Sequence, residues 1–175
     1  SEALWCPVVV VNDGTVHATA LGVTNWFPTG IAVALGTSVR SGMTDSGGQL
    51  LAPCSGENRD LGEWRLDTGA EHREMWRALA TRRLDVLIAE RGEADGWRQY
   101  GDRLGNFLVR ASQVFQLRSI VLSSGIAHAG GQDLDVVGGE LRRMPDYLET
   151  PGVMLGPFRE AGFVGAWVLA QGQGA

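Results

Sequence analysis

The chain contains no lysine, since all fifteen of its basic residues are arginines. A lysine Schiff base and a phosphate-binding lysine of the Walker type are therefore excluded, which removes the P-loop kinases and the lysine-dependent aldolases. Cysteine is nearly as scarce. Cys6 and Cys54 are too few for a disulfide scaffold, and neither has a His or Cys at ligand spacing, so no metal site is expected. No apolar run is long enough to cross a bilayer, and no basic segment precedes an apolar one at the start, so the expected location is cytoplasmic. A net charge of -5 offers no general attraction to nucleic acid or to an anionic membrane. There is no Gly-x-Ser-x-Gly elbow and no evident Ser-His-acid set, which argues against an α/β-hydrolase-like enzyme. Repeats, low-complexity tracts and interdomain linkers are also missing.

What is present fits one compact domain. A length of 175 residues at 44% hydrophobic suffices for a sizeable core. The chain opens at Ser1 without a methionine and enters an apolar run almost at once, as a processed or truncated piece would. Short β-branched runs alternate with turn residues and predict strands at Val8 to Val11, Ile31 to Leu35, Val39 to Met43, Gln49 to Leu51 and Trp64 to Leu66. Helical spacing of Trp76, Leu79, Ala80, Leu84 and Leu87 predicts a helix over Glu71 to Arg91. A second helix, capped by Asp95, carries a core stripe of Leu104, Phe107, Leu108, Ala111 and Phe115. Ser119 to Leu122 reads as a strand covered on both faces. A short helix and surface loop are expected between Gly125 and Gly152, a last strand at Val153 to Leu155, and a closing helix over Arg159 to Ala170. The order predicts an α/β fold with a mixed sheet.

Chemistry gathers where the strands end. Val8 to Val11 delivers Asn12 and Asp13, Ile31 to Leu35 ends in Gly36-Thr37-Ser38, and Ser119 to Leu122 ends in Ser123-Ser124-Gly125. Backbone N–H groups exposed at such small-residue turns can surround a phosphate. Asp13, at the end of a buried strand, is placed to accept a hydroxyl proton, and Asn12 offers a donor and an acceptor to a neighbouring hydroxyl. The alternative for Asn12-Asp13 is a plain cap on the following helix.

Taken in order, these segments resemble the C-terminal lobe of the ROK and polyphosphate-glucokinase branch of the actin, Hsp70 and hexokinase superfamily, over nearly the whole chain. Val10 to Val16 resembles the segment with the catalytic aspartate, Ala34 to Ser38 the second phosphate loop, and Asp60-Leu61-Gly62-Glu63 the Glu-x-Gly-His sugar-contact motif. Ile120 to Ile126 resembles the adenosine-site strand and turn, and Glu160 to Ala166 the final helix. The resemblance implies a ribonuclease-H-like, actin-like ATPase lobe with a mixed β-sheet flanked by helices. It implies transfer of a phosphoryl group from ATP with Mg2+, or from polyphosphate, to a sugar hydroxyl. Asp13 would be the base, Asn12, Asp60 and Glu63 the sugar contacts, and Gly36, Thr37, Ser38, Ser124 and Gly125 the phosphate and nucleotide contacts.

Several positions depart from the family pattern. Asp60 and Glu63 replace Glu and His, which puts glucose in doubt; the alternative is that both are solvated surface residues. Arg40 stands where glycine is usual, either to block a phosphate or to pair with it. Ser123 and Ser124 replace glycines and are expected to narrow the nucleotide site. The cysteine-rich zinc motif of many ROK proteins is missing, which points towards the polyphosphate branch. His17 and His128 are expected to be surface or internally satisfied residues, and His72 to be solvated. Trp76 and Trp167 fit helix core faces, while Trp26 fits an exposed loop.

Nothing in the chain resembles the family's N-terminal lobe with its acidic first phosphate loop. The chain is read as a single domain, 1–175, whose second lobe would come from the same precursor or from another chain, with a homo-oligomer as a further option by resemblance. Without that lobe, transfer catalysis should be negligible. The competing reading is a non-catalytic module of the same fold that senses a sugar or nucleotide.

Overall fold

The computed structural model describes residues 16–20, 30–45, 51, 65–67, 72–123, 125–129, 133–145, 149–156 and 161–172. The expected strand at Val8 to Val11 and residues Asn12, Asp13, Trp26, Asp60, Glu63 and Ser124 lie outside them. A helical segment at 16–20 (α1) comes first. β1 (Gly30–Leu35) and β2 (Val39–Thr44) follow, then the pair β3 (Arg65–Asp67) and β4 (His72–Glu74). The helices α2 (Met75–Ala78), α3 (Thr81–Arg91) and α4 (Glu93–Phe115) lead to β5 (Ser119–Ser123). After it come α5 (Gly125–Ala129), α6 (Asp133–Leu141), β6 (Gly152–Leu155) and α7 (Ala161–Gly172).

The main sheet has the order β2-β1-β5-β6. β1 runs antiparallel to β2 and parallel to β5, and β5 runs parallel to β6, so the sheet is mixed as expected. Strand alternation then assigns two faces. Ile31, Val33, Leu35, Ile120 and Leu122 belong to the large core, with Leu84, Leu87, Tyr100, Leu104, Phe107, Leu108 and Ala111 from α3 and α4. Ala32 and Val121 belong to a separate small cluster with Ala18 of α1, against which Met154 packs. The small side chains of Ala18 and Ala32 let α1 lie close to the sheet. Removing a large side chain such as Leu104 or Phe107 from water contributes about 1.5–3 kcal/mol.

The helix expected over Glu71 to Arg91 is three elements instead of one. Residues His72–Glu74 pair with Arg65–Asp67 as a small antiparallel ribbon, drawing the segment's start into a strand. The helical ladder then breaks at Leu79 and Ala80. The N–H of Thr81 donates to the carbonyl of Gly36 at 2.9 Å, and the Tyr100 hydroxyl donates to the Leu79 carbonyl at 2.7 Å. Long-range partners thus take groups that a continuous helix would use locally. The Ala80 carbonyl starts α3 anew, accepting from the N–H groups of Arg83 and Leu84.

The next helix is 23 residues long and starts before the expected Asp95 cap. Gly92 occupies the N-cap with φ of 84°, a backbone region open to glycine, and its N–H closes α3 on the Ile88 carbonyl at 2.8 Å. Asp95 instead sits in the first turn with Glu93, where the helix dipole favours negative charge, and it pairs with Arg98 at 2.7 Å. Other boundaries move less. β3 runs on to Asp67, α7 covers Ala161–Gly172 with Trp64, Arg159 and Glu160 outside the described residues, and Leu51 lies outside any strand although its N–H donates to the Met43 carbonyl at 2.9 Å. The stretch after Gly125 holds two helices where one was expected.

Trp167 corrects a sequence expectation. It is 64% exposed on α7, with Phe163 beside it at 81%, so neither belongs to the core. The opposite side of α7 explains why. A Cβ added at Gly165 would lie 1.8 Å from the Val16 carbonyl oxygen, so α7 rests on α1 through its glycine and turns its aromatic side outward.

Candidate functional site at the strand ends

Parallel pairing sends β1, β5 and β6 in one direction, so Leu35, Ser123 and Leu155 end at the same edge of the sheet. In open α/β sheets that edge is where ligands bind. Ala34 pairs with Ser123, which brings the Gly36-Thr37-Ser38 turn beside the end of β5 and the start of α5. The structure therefore joins two segments that are far apart in sequence. Gly156 completes the edge, its N–H donating to the Leu122 carbonyl at 2.7 Å. Nothing local in the sequence marks Gly156 for this place.

The first turn is held on both sides. The Gly36 N–H donates to the Ser38 carbonyl at 3.1 Å, while the Gly36 carbonyl accepts from Thr81 at the start of α3. Thr37 is the exposed apex, between the half-buried Gly36 and Ser38. Arg40 lies half-buried on β2 opposite Ala34, next to this turn. Glycine is not demanded at 36 by crowding, because the nearest atom to an added Cβ is the Ser38 carbonyl oxygen at 3.8 Å. At Gly125, which opens α5, nothing lies within 4 Å of an added Cβ. Gly125 thus borders open space, while Gly36 is in ordinary contact with its own turn.

Ser123 does not narrow that space. Its side chain is fully buried, with Oγ 2.9 Å from His17 Nδ1 and 3.4 Å from the Val33 carbonyl, to which it donates. A hydroxyl can donate and accept at once, and the His17 tautomer sets which way the proton lies in the contact with Nδ1. The hydroxyl thus ties the ends of α1, β1 and β5 together inside the molecule. His17, only 7% exposed, is an internally satisfied residue, as one of the two sequence readings had it. His128 is neither surface nor satisfied, since it is half-buried and its Nε2 has no hydrogen-bond partner.

Among the described residues no group of three or more His, Cys, Asp or Glu side chains could hold a metal ion, and no helix is long and apolar enough to cross a membrane.

A mixed four-stranded sheet covered on both faces by helices is the α/β fold of the ROK sugar kinases. Three solved structures illustrate the likeness. The ROK hexokinase from Thermus thermophilus matches with a TM-score of 0.77 at 20% identity, over 95% of this chain and 66% of that one. The ROK family glucokinase from Streptomyces griseus, solved with glucose and AMPPNP, matches with a TM-score of 0.75 at 19% identity, over 98% of this chain and 70% of that one. A ROK family transcriptional regulator, a homologue of the E. coli MLC protein, matches with a TM-score of 0.76 at 15% identity, over 97% of this chain and 53% of that one. The chain thus spans between 53% and 70% of the length of these structures. No family model and no curated protein sequence matches it.

Proposed function

We propose that this chain is the C-terminal lobe of a ROK-like sugar kinase, which transfers a phosphoryl group from ATP or polyphosphate to a sugar hydroxyl. The observation that carries this reading is the placing of the Gly36-Thr37-Ser38 turn and of Gly125 together beside the ends of the adjacent parallel strands β1 and β5. Backbone N–H groups and the Thr37 and Ser38 hydroxyls are the donors a phosphate would meet there, with Gly125 and Ser124 on the nucleotide side. Asp13 is the base in this reading and Asn12 a sugar contact; Asp13 precedes the anchored His17 by four residues in sequence. Asp60 and Glu63 are the further sugar contacts. Magnesium would arrive on the nucleotide phosphates, and such sites commonly take only one or two protein carboxylates. Those carboxylates, and the rest of the sugar site, belong in this reading to a second lobe, in the same precursor or on another chain, and the assembly is cytoplasmic.

The test uses the complete two-lobed assembly. Asp13→Asn should abolish phosphoryl transfer while glucose and AMPPNP still raise the melting temperature; undiminished turnover in that variant would remove Asp13 from the role.

The regulator among the structural neighbours favours a second reading, a non-catalytic sensor of a sugar or nucleotide. Replacement of family residues at Arg40, Asp60, Glu63 and Ser124 is in keeping with it. Stabilisation by glucose or AMPPNP without turnover, in an assembly with both lobes present, selects this second reading.

A further inference from the structure

Two polar side chains are buried where α1 meets the sheet, and they bond to each other. Ser123 is fully buried at the end of β5 and His17 is 7% exposed, with Oγ and Nδ1 2.9 Å apart. Burying polar groups is costly unless each finds its partner, so the pair favours one arrangement of α1 on β5. The apolar contacts nearby are less exacting. Ala18 meets Ala32 and Val121 through small side chains with no preferred direction, an interface along which a helix can slide or turn, whereas a hydrogen bond weakens steeply once its angle is lost. Ser123 is itself held by both neighbouring strands. The Val33 carbonyl of β1 accepts from its hydroxyl at 3.4 Å, and Gly156, after β6, leaves it room, since a Cβ added there would lie 3.3 Å from that of Ser123. α1 is backed in turn by α7, which meets Val16 through Gly165.

We infer that His17 and Ser123 are positioning residues, and that through their bond the end of β5 fixes the rotation of α1 and with it the place of the base. The inference rests on the kinase reading given above, in which Asp13 is that base and Gly125 borders the nucleotide. The bonded pair stands between those two roles. Gly125 opens α5 two positions after Ser123, with nothing within 4 Å of an added Cβ. Asp13, outside the described residues, precedes His17 by four positions in sequence, so few links of chain separate it from the bond. Neither bonded side chain is exposed enough to touch a substrate, so each acts only through the backbone that it holds. Catalytic groups must be held to within about 0.5 Å and 10–20° of their working geometry, and a misplacement of about 1 Å can cost about 100-fold in rate. A loosened α1 therefore acts on turnover more than on the grip of the phosphoryl donor, whose contacts in this reading lie at Gly36 to Ser38 and at Gly125.

The experiment measures initial rates of the complete two-lobed assembly on a panel of hexoses, with ATP and inorganic polyphosphate as donors in parallel, at a temperature where circular dichroism shows every variant folded. Ser123→Ala should lower kcat about tenfold or more while KM for the donor moves by less than about threefold. His17→Leu should do the same. His17→Asn should restore most of the rate, because its amide offers a donor and an acceptor close to the place of Nδ1 and so serves whichever tautomer the histidine holds. Tyr100→Phe is the control. It loses a buried hydrogen bond in the large core on the other face of the sheet, so its stability falls while its kcat should stay within about twofold of wild type. An unchanged kcat in Ser123→Ala overturns the inference. So does an equal loss of kcat in Tyr100→Phe, or a His17→Asn variant no faster than His17→Leu, and in each case a working wild type leaves the kinase reading standing. A wild-type assembly that turns over none of these pairs removes the kinase reading, and the inference with it.

Discussion

His17 Nδ1 and Ser123 Oγ lie 2.9 Å apart in the interior, although 106 positions separate them in the chain. The contact closes α1 against the end of β5 and holds the edge on which the candidate site stands. Ser123→Ala removes the hydroxyl from this buried contact with Nδ1, a loss of about 1–3 kcal/mol. His17→Phe should cost a similar amount, and the double variant less than the two losses added. A coupling of about 0.5–3 kcal/mol from urea unfolding is expected, whereas strict additivity would mean that the bond contributes nothing.

Gly165→Ala is expected to be severe. The new methyl group would lie 1.8 Å from the Val16 carbonyl oxygen, so α7 must lift from α1. Such overpacking costs about 1–3 kcal/mol or more, against a gain of about 1 kcal/mol that alanine gives elsewhere in a helix. Gly139→Ala on α6, where nothing lies within 4 Å, is the control and should be neutral or stabilising. Equal melting temperatures for the two variants would contradict this packing.

Tyr100→Phe removes the bond that ends at the break between α2 and α3. The ring is buried and meets Trp97 edge-on at 6.1 Å, a contact phenylalanine preserves. The bond to the Leu79 carbonyl is lost, and that carbonyl lies where α2 and α3 break apart. A destabilisation of about 1–2 kcal/mol is expected by chemical denaturation, with faster amide exchange at residues 79–84. Unchanged exchange there would mean that Tyr100 does not hold the break.

Gly125→Val should separate binding from folding. Open space around Gly125 gives a larger side chain nothing to strike within the protein, so the melting temperature should move little. If the nucleotide approaches this turn, the branched side chain intrudes on it, and AMPPNP affinity in the two-lobed assembly should fall at least tenfold, about 1.4 kcal/mol. Wild-type affinity in this variant would move the nucleotide elsewhere.

The exposed ion pair of Arg118 with Glu149 should matter little. Its atoms are 3.9 Å apart and both side chains are largely exposed, so Glu149→Gln should change stability by under about 1 kcal/mol. A larger change, read from urea unfolding at low and high salt, would point to an unrecognised role for Glu149.

The elements themselves were legible in the sequence because their signals are local. The apolar run Ile31 to Leu35 is β1, and the stripe of Leu104, Phe107, Leu108 and Ala111 is the buried side of α4. The turn at Gly36 was legible too, since small residues after a strand mark its end. Where a side chain goes when two partners compete was decided by tertiary structure alone. Ser123 could face a ligand or the interior, and only the arrival of His17 from the far end of the chain turns it inward. Leu79 could continue a helix, and only the Tyr100 hydroxyl and the Gly36 carbonyl, both distant in sequence, interrupt it. Trp167 has the spacing of a core residue, but periodicity records which residues share a face and says nothing of what covers it. Gly165 against Val16 commits the other side of α7 to the protein and leaves the tryptophan outside.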